Sequence, residues 1–201
     1  MNQSNKILSC MLVAYIIPIA FVYYKYQNSD IGIRSISSII TSTEPFLSFI
    51  PFYSTSIDTA HSFVFQTRHF IALCMLIMAG FTILYESQRL RQRWSLAAII
   101  ILLCGIFGVI FIPEQNPTHY IFAAAAFFAI IGFMCGHTFC GSGGDIDILR
   151  MLLYAQILFM VITIIGVIQD ATIFAAEALF LLNFALFYLY IHFSTLQTVK
   201  N

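Results

Sequence analysis

Charge is what this chain has least of. Lys, Arg, Asp and Glu make up 9% of its 201 residues and sum to a net charge of zero, where a soluble domain carries about 25%. No stretch is polar enough to fold as a separate soluble domain. The balance also lacks the basic surplus that nucleic-acid binding draws on. Cysteine is sparse as well. All five, Cys10, Cys74, Cys104, Cys135 and Cys140, lie in apolar stretches or towards the expected cytoplasmic side, which excludes an exoplasmic disulfide framework. Catalytic signatures are missing too. No nucleophile elbow and no H-x-x-x-x-D pattern is present, and Gly141-Ser142-Gly143-Gly144 lacks the Lys of a phosphate loop, so it reads as a turn. The first apolar stretch, Ile7–Tyr24, has no small-x-small cleavage site before Lys25 and is longer than a signal-peptide core, so it is read as a retained span.

What is abundant is apolar surface. Hydrophobic residues are 60% of the chain and the mean hydropathy is +0.90, which places it among polytopic membrane proteins. Six spans follow, over roughly 7–25, 64–85, 95–113, 119–137, 150–168 and 172–194. Pro18 lies inside the first and is expected to kink it. Gly105, Gly108 and Ala123–Ala126 supply small faces for close helix packing. The expected fold is all-α, a single six-transmembrane-helix bundle over 1–201.

Orientation follows from the basic residues. With a cytoplasmic N-terminus, Lys6, Arg89, Arg91, Arg93, Arg150 and Lys200 fall on the cytoplasmic side, and Lys25, Arg34 and Arg68 on the other. Six against three puts both termini in the cytoplasm. One larger exoplasmic loop, Tyr26–Phe63, then joins the first two spans. Besides Ser, Thr, Pro45 and Pro51 it holds Phe46, Leu47, Phe49, Ile50, Phe52 and Tyr53. A solvated linker has no use for such aromatics, so the loop is expected to pack back on the membrane surface.

The last span is the informative one. Thr172–Phe193 is an almost wholly apolar run of 22 residues, about 33 Å long as a helix, yet it contains Glu177 and Asn183. An ionisable group in a span costs up to about 3 kcal/mol and so faces protein, water or a polar ligand. On the same expected exoplasmic face lie Glu44, Asp58, His61, Arg68, His69, Glu114, His119 and Asp170. Span ends are where polar residues ordinarily sit, and that is the plain reading of most of them. Two chemical readings stand beside it. Asp58, His61, His69 and His119 would serve a metal-dependent lipid hydrolase. Pairing His69 with His119, and His137 with His192, would serve a haem-binding electron carrier. His119 and His137, about 27 Å apart on one helix, cannot share a metal.

Three stretches carry a family resemblance. They are Ser35-Ile36-Ser37-Ser38-Ile39-Ile40 followed by Pro45; Glu114 and, five positions on, His119, leading into Ala123–Phe128; and Thr172-Ile173-Phe174-Ala175 with Glu177, Asn183 and Phe187. Together they resemble the Frag/DRAM/Sfk family of six-span membrane proteins, in its GPI-anchor lipid-remodelling branch. The chain departs from the family in having Thr41-Ser42-Thr43-Glu44 where Gly and Glu are usual, and in a longer segment between Pro45 and Arg68. The resemblance implies secretory-pathway lipid handling in the Golgi or endoplasmic reticulum, with GPI-anchor fatty-acid remodelling first. Other branches point to autophagy or phospholipid distribution. The implied partners are membrane lipids and GPI-anchored proteins, with no cofactor, no metal and no nucleic acid.

For acyl transfer, His119 is the expected base and Glu177 its orienting or head-group partner. Arg68 would meet a phosphate. Ser35 and Ser37 offer hydroxyls, or backbone caps instead. Glu114 and Asn183 complete the expected ligand-binding set. An accessory lipid-binding role without chemistry is the other outcome.

Overall fold

A computed structural model describes residues 3–27, 35–42, 66–89, 93–140 and 145–198. Every element among them is an α-helix: α1 Gln3–Gln27, α2 Ile36–Ile40, α3 Thr67–Arg89, α4 Arg93–Phe111, α5 Pro117–Phe139, α6 Ile146–Ile168 and α7 Phe174–Thr198. All but α2 are long and apolar enough to cross a membrane. α1 continues through Pro18. The aromatic residues of 46–53, Glu44, Asp58, His61 and the turn 141–144 lie outside the described residues.

Short polar signals set the helix ends. Asn116 caps α5 by accepting the Thr118 N–H at 3.0 Å, with Pro117 in the first turn, where its missing N–H costs nothing. Asp145 caps α6 through the Asp147 N–H at 2.9 Å. α6 stops in a Schellman turn: Ala171 N–H reaches Gly166 O at 2.9 Å and Asp170 N–H reaches Val167 O at 3.3 Å. Asp170 takes the left-handed position there, at φ 56°.

Each long helix packs on the next in the chain, α1 on α3, α3 on α4, and so on to α6 on α7. α4 and α5 approach each other closely. A Cβ at Gly105 would lie 2.9 Å from Ala126 Cβ, and one at Gly108 would lie 2.1 Å from the Phe122 ring. The small faces read in the sequence are therefore used for packing. Phe133, Phe180, Phe187, Met134 and Ile191 fill the centre. Leu76, Phe128, Met151, Leu158 and Leu182 face outwards. Only an apolar surrounding accepts such a surface at no cost.

Two buried amides join α6 to α7. Asn183 Nδ2 donates to Leu152 O at 2.9 Å and to Gln156 Oε1 at 2.5 Å, and Gln156 Nε2 donates to Phe180 O at 3.0 Å. One hydrogen bond joins the two amides, and backbone carbonyls take further donors where no water competes.

Candidate functional site

The described part of the first loop, 35–42, folds back on the bundle. Ile39 of α2 is buried with Val22 of α1, Ile71 of α3 and Ile110 of α4, and Phe174 of α7 packs alongside. The short helix thus seats one end of the bundle against four spans. Five residues cannot hold a helix by propensity alone, so the fixation comes from side chains around it.

Ser35 is the N-cap and is wholly buried. Its Oγ accepts the Ser38 N–H at 3.1 Å, lies 2.9 Å from Ser37 Oγ and donates to Glu114 Oε2 at 3.5 Å. The next amide, Ile36 N–H, donates to Glu177 Oε2 at 2.6 Å. Two carboxylates from distant parts of the chain therefore meet the positive end of α2. Ser35, Ser37, Glu114 and Glu177 come together through the capping of a backbone.

The far end of α2 borders a half-open cavity of about 490 Å³. Ser38, Thr41 and Ser42 line it, with Arg68 from the start of α3. Ile110, Phe111, Pro113 and Gln115, at the end of α4 and in the following turn, complete the lining. Arg68 N–H is held by Ser42 O at 3.2 Å, and its Nε donates to Gln66 Oε1 at 2.7 Å. The wall is polar and charged around Arg68 and apolar along α4.

His119 has a different task. Its Nδ1–H donates to Ile112 O at 2.7 Å and closes the turn between α4 and α5, with the ring 2% exposed. Among the described residues no hydrogen bond joins His119 to Glu177. Asn183 stands about 9 Å further along α7 than Glu177, and its donors are committed to α6; it does not join the α2 cluster. His69 Nδ1 accepts the Gln66 N–H at 3.1 Å.

A second polar centre, of which the sequence reading named only His137 and His192, is buried towards the opposite end. Tyr188 of α7 donates to Glu86 of α3, and Tyr85 is hydrogen-bonded to His192. His137 of α5 meets Ser95 of α4 through Nε2 at 3.2 Å and packs on Trp94. Glu86 and Ser95 are fully buried, and His137 and His192 nearly so. Glu86 follows directly on the second apolar span and so reads as an interfacial residue. The Tyr188/His192 spacing of one helical turn, facing Tyr85 and Glu86, was the available signal. His137 and His192 thus face partners on α4 and α3. Among the described residues no group of three His, Cys, Asp or Glu side chains is placed to hold a metal ion. Comparison of the chain with protein-family models, curated proteins and solved structures finds no match.

Proposed function

We propose that this is an integral membrane protein that holds a lipid by its head group at the α2 end of the bundle. The observation that supports this reading is the cavity beside α2. It brings Arg68 and the hydroxyl-bearing residues Ser38, Thr41 and Ser42 together with the apolar Ile110 and Phe111, at the end of helices long enough to cross a membrane. A phospholipid makes the same two demands at the same depth, polar head next to apolar chain. On the basic-residue count this end faces the exoplasm or lumen and both termini the cytoplasm. The motif resemblance sets the role in the Golgi or endoplasmic reticulum, in GPI-anchor remodelling, with GPI-anchored proteins as partners.

Binding is favoured over chemistry. Ser35 Oγ is spent on capping α2, and Glu177 accepts the Ile36 N–H. Ser35 does face a carboxylate, Glu114 Oε2 at 3.5 Å, but it is wholly buried and so out of a substrate's reach.

The test is native mass spectrometry of the purified full chain, with Ser42→Trp to fill the cavity. Wild type is expected to carry phospholipid through detergent exchange, and Ser42→Trp to lose it while melting at a similar temperature. Equal lipid carriage in both would sink the proposal. A stoichiometric Soret band on the pure protein would instead favour the haem reading. In cells, loss of the chain should release GPI-anchored proteins from the surface, restored by wild type and not by Ser42→Trp.

A further inference from the structure

We infer that the α2 cavity selects a phosphate ester whose other end is a hydrogen-bond donor, the phosphoethanolamine class of head group. The inference rests on the lipid-handling reading and adds to it which lipid is held. It follows from counting donors and acceptors around the cavity.

Among the described residues, Arg68 is the only charged one that lines the cavity. Its Nε is occupied by Gln66 Oε1, which fixes the plane of the guanidinium. Among the described residues nothing takes Nη1 or Nη2. Four N–H donors in a rigid fork remain, the arrangement that meets two phosphate oxygens at once.

The hydroxyls of Ser38 and Thr41, which also line the cavity, offer the reverse. Ser38 Oγ–H donates to Ser35 O at 2.7 Å, and Thr41 Oγ1–H donates to Ser37 O at 2.8 Å. A hydroxyl has a single proton. With both protons spent on backbone carbonyls, these oxygens have only lone pairs left for a ligand. A simple anion would satisfy Arg68 but repel the two oxygens. A simple cation would satisfy the oxygens but meet Arg68.

A head group with both signs satisfies each side. Its phosphate lies on Arg68, and its primary ammonium donates to Ser38 and Thr41. The volume of about 490 Å³ admits such a group together with the first part of its chains, which would run along Ile110 and Phe111. A trimethylammonium has the same charge but no N–H, so phosphatidylcholine cannot make the second set of bonds.

The experiment measures binding of phosphatidylethanolamine and phosphatidylcholine with identical acyl chains to the full chain in detergent, by native mass spectrometry. Wild type is expected to prefer phosphatidylethanolamine about tenfold, the worth of a charge-assisted hydrogen bond. Thr41→Val combined with Ser38→Ala should abolish the preference, while Thr41→Ser, which keeps the hydroxyl, retains it and controls for folding. Arg68→Gln should weaken both lipids about tenfold. Equal binding of the two lipids by wild type, or a preference that survives the double substitution, overturns this inference and leaves the lipid reading standing. Binding of neither lipid removes both. Soluble phosphoethanolamine supplies the last arm: if it binds and the lipids do not, the ligand is a water-borne phosphomonoester and the membrane source is wrong.

Discussion

The carboxylate of Glu177 accepts the backbone N–H of Ile36 at 2.6 Å, across 141 positions of chain. An acid inside an apolar span thereby completes a helix of five residues that is not its own. The last span and the first loop are tied at a point where α1, α3 and α4 also meet α2.

Replacement of that acid separates capping from charge. Glu177→Gln keeps an acceptor for the Ile36 N–H and should leave α2 docked. Glu177→Leu strands a part-buried donor and should destabilise by about 1–3 kcal/mol. Hydrogen exchange at Ile36 and thermal unfolding in detergent would report the difference; a wild-type exchange rate in Glu177→Leu would contradict the role assigned here.

The α4–α5 contact predicts a second contrast. Gly108→Ala forces a methyl into the Phe122 ring and should cost about 1–3 kcal/mol. Gly80 and Gly132 have nothing within 4 Å of an added Cβ, so alanine there should be neutral or stabilise by up to about 1 kcal/mol. Phe122→Ala should relieve the Gly108→Ala variant. Melting temperatures of the set decide it, and equal losses at all three glycines would count against the packing.

The Asn183–Gln156 clasp should behave as a unit. Asn183→Leu or Gln156→Leu alone leaves a buried amide without its partner, a loss of about 1–3 kcal/mol. The double substitution should cost clearly less than the sum of the singles, because both polar groups leave together. A double-mutant cycle in detergent unfolding measures this; strict additivity would show that the two amides act independently. Lipid binding at α2 should be unaffected throughout, since neither amide borders the cavity.

Asp170 gives the fourth expectation. It occupies the left-handed position of the α6 terminus, which glycine accepts freely and a β-branched residue does not. Asp170→Gly should be neutral or slightly stabilising, and Asp170→Val should cost about 1–2 kcal/mol, read from melting temperature. An unchanged Asp170→Val would argue that the turn is made differently.

The sequence made much of the α2 end legible. Glu177 stood out because an acid in an apolar run needs a partner, and Ser35, Ser37 and Glu114 were linked to it by motif. The role of each was less legible. A Ser in S-I-S serves equally as nucleophile or cap until its neighbours are known, and here Ser38 N–H decides for the cap. His119 was assigned to Glu177, but the nearest acceptor for its Nδ1–H is Ile112 O, seven residues back in its own turn. Glu86 escaped notice because a residue at the end of an apolar run has no visible depth until another helix covers it.

What the sequence determined by itself is whatever depends on local composition. Runs of about twenty apolar residues can only be helices in an apolar medium, because each must satisfy its own backbone. Asn116-Pro117 and Asp145 mark helix starts by chemistry within three residues. Tertiary structure alone decided the pairings: Glu177 with Ile36, Asn183 with Gln156, Tyr188 with Glu86, and the cavity between α2, Arg68 and α4. Those contacts join residues 27 to 141 positions apart. Their partners are selected by which helix faces which, and periodicity along one segment carries no record of that choice.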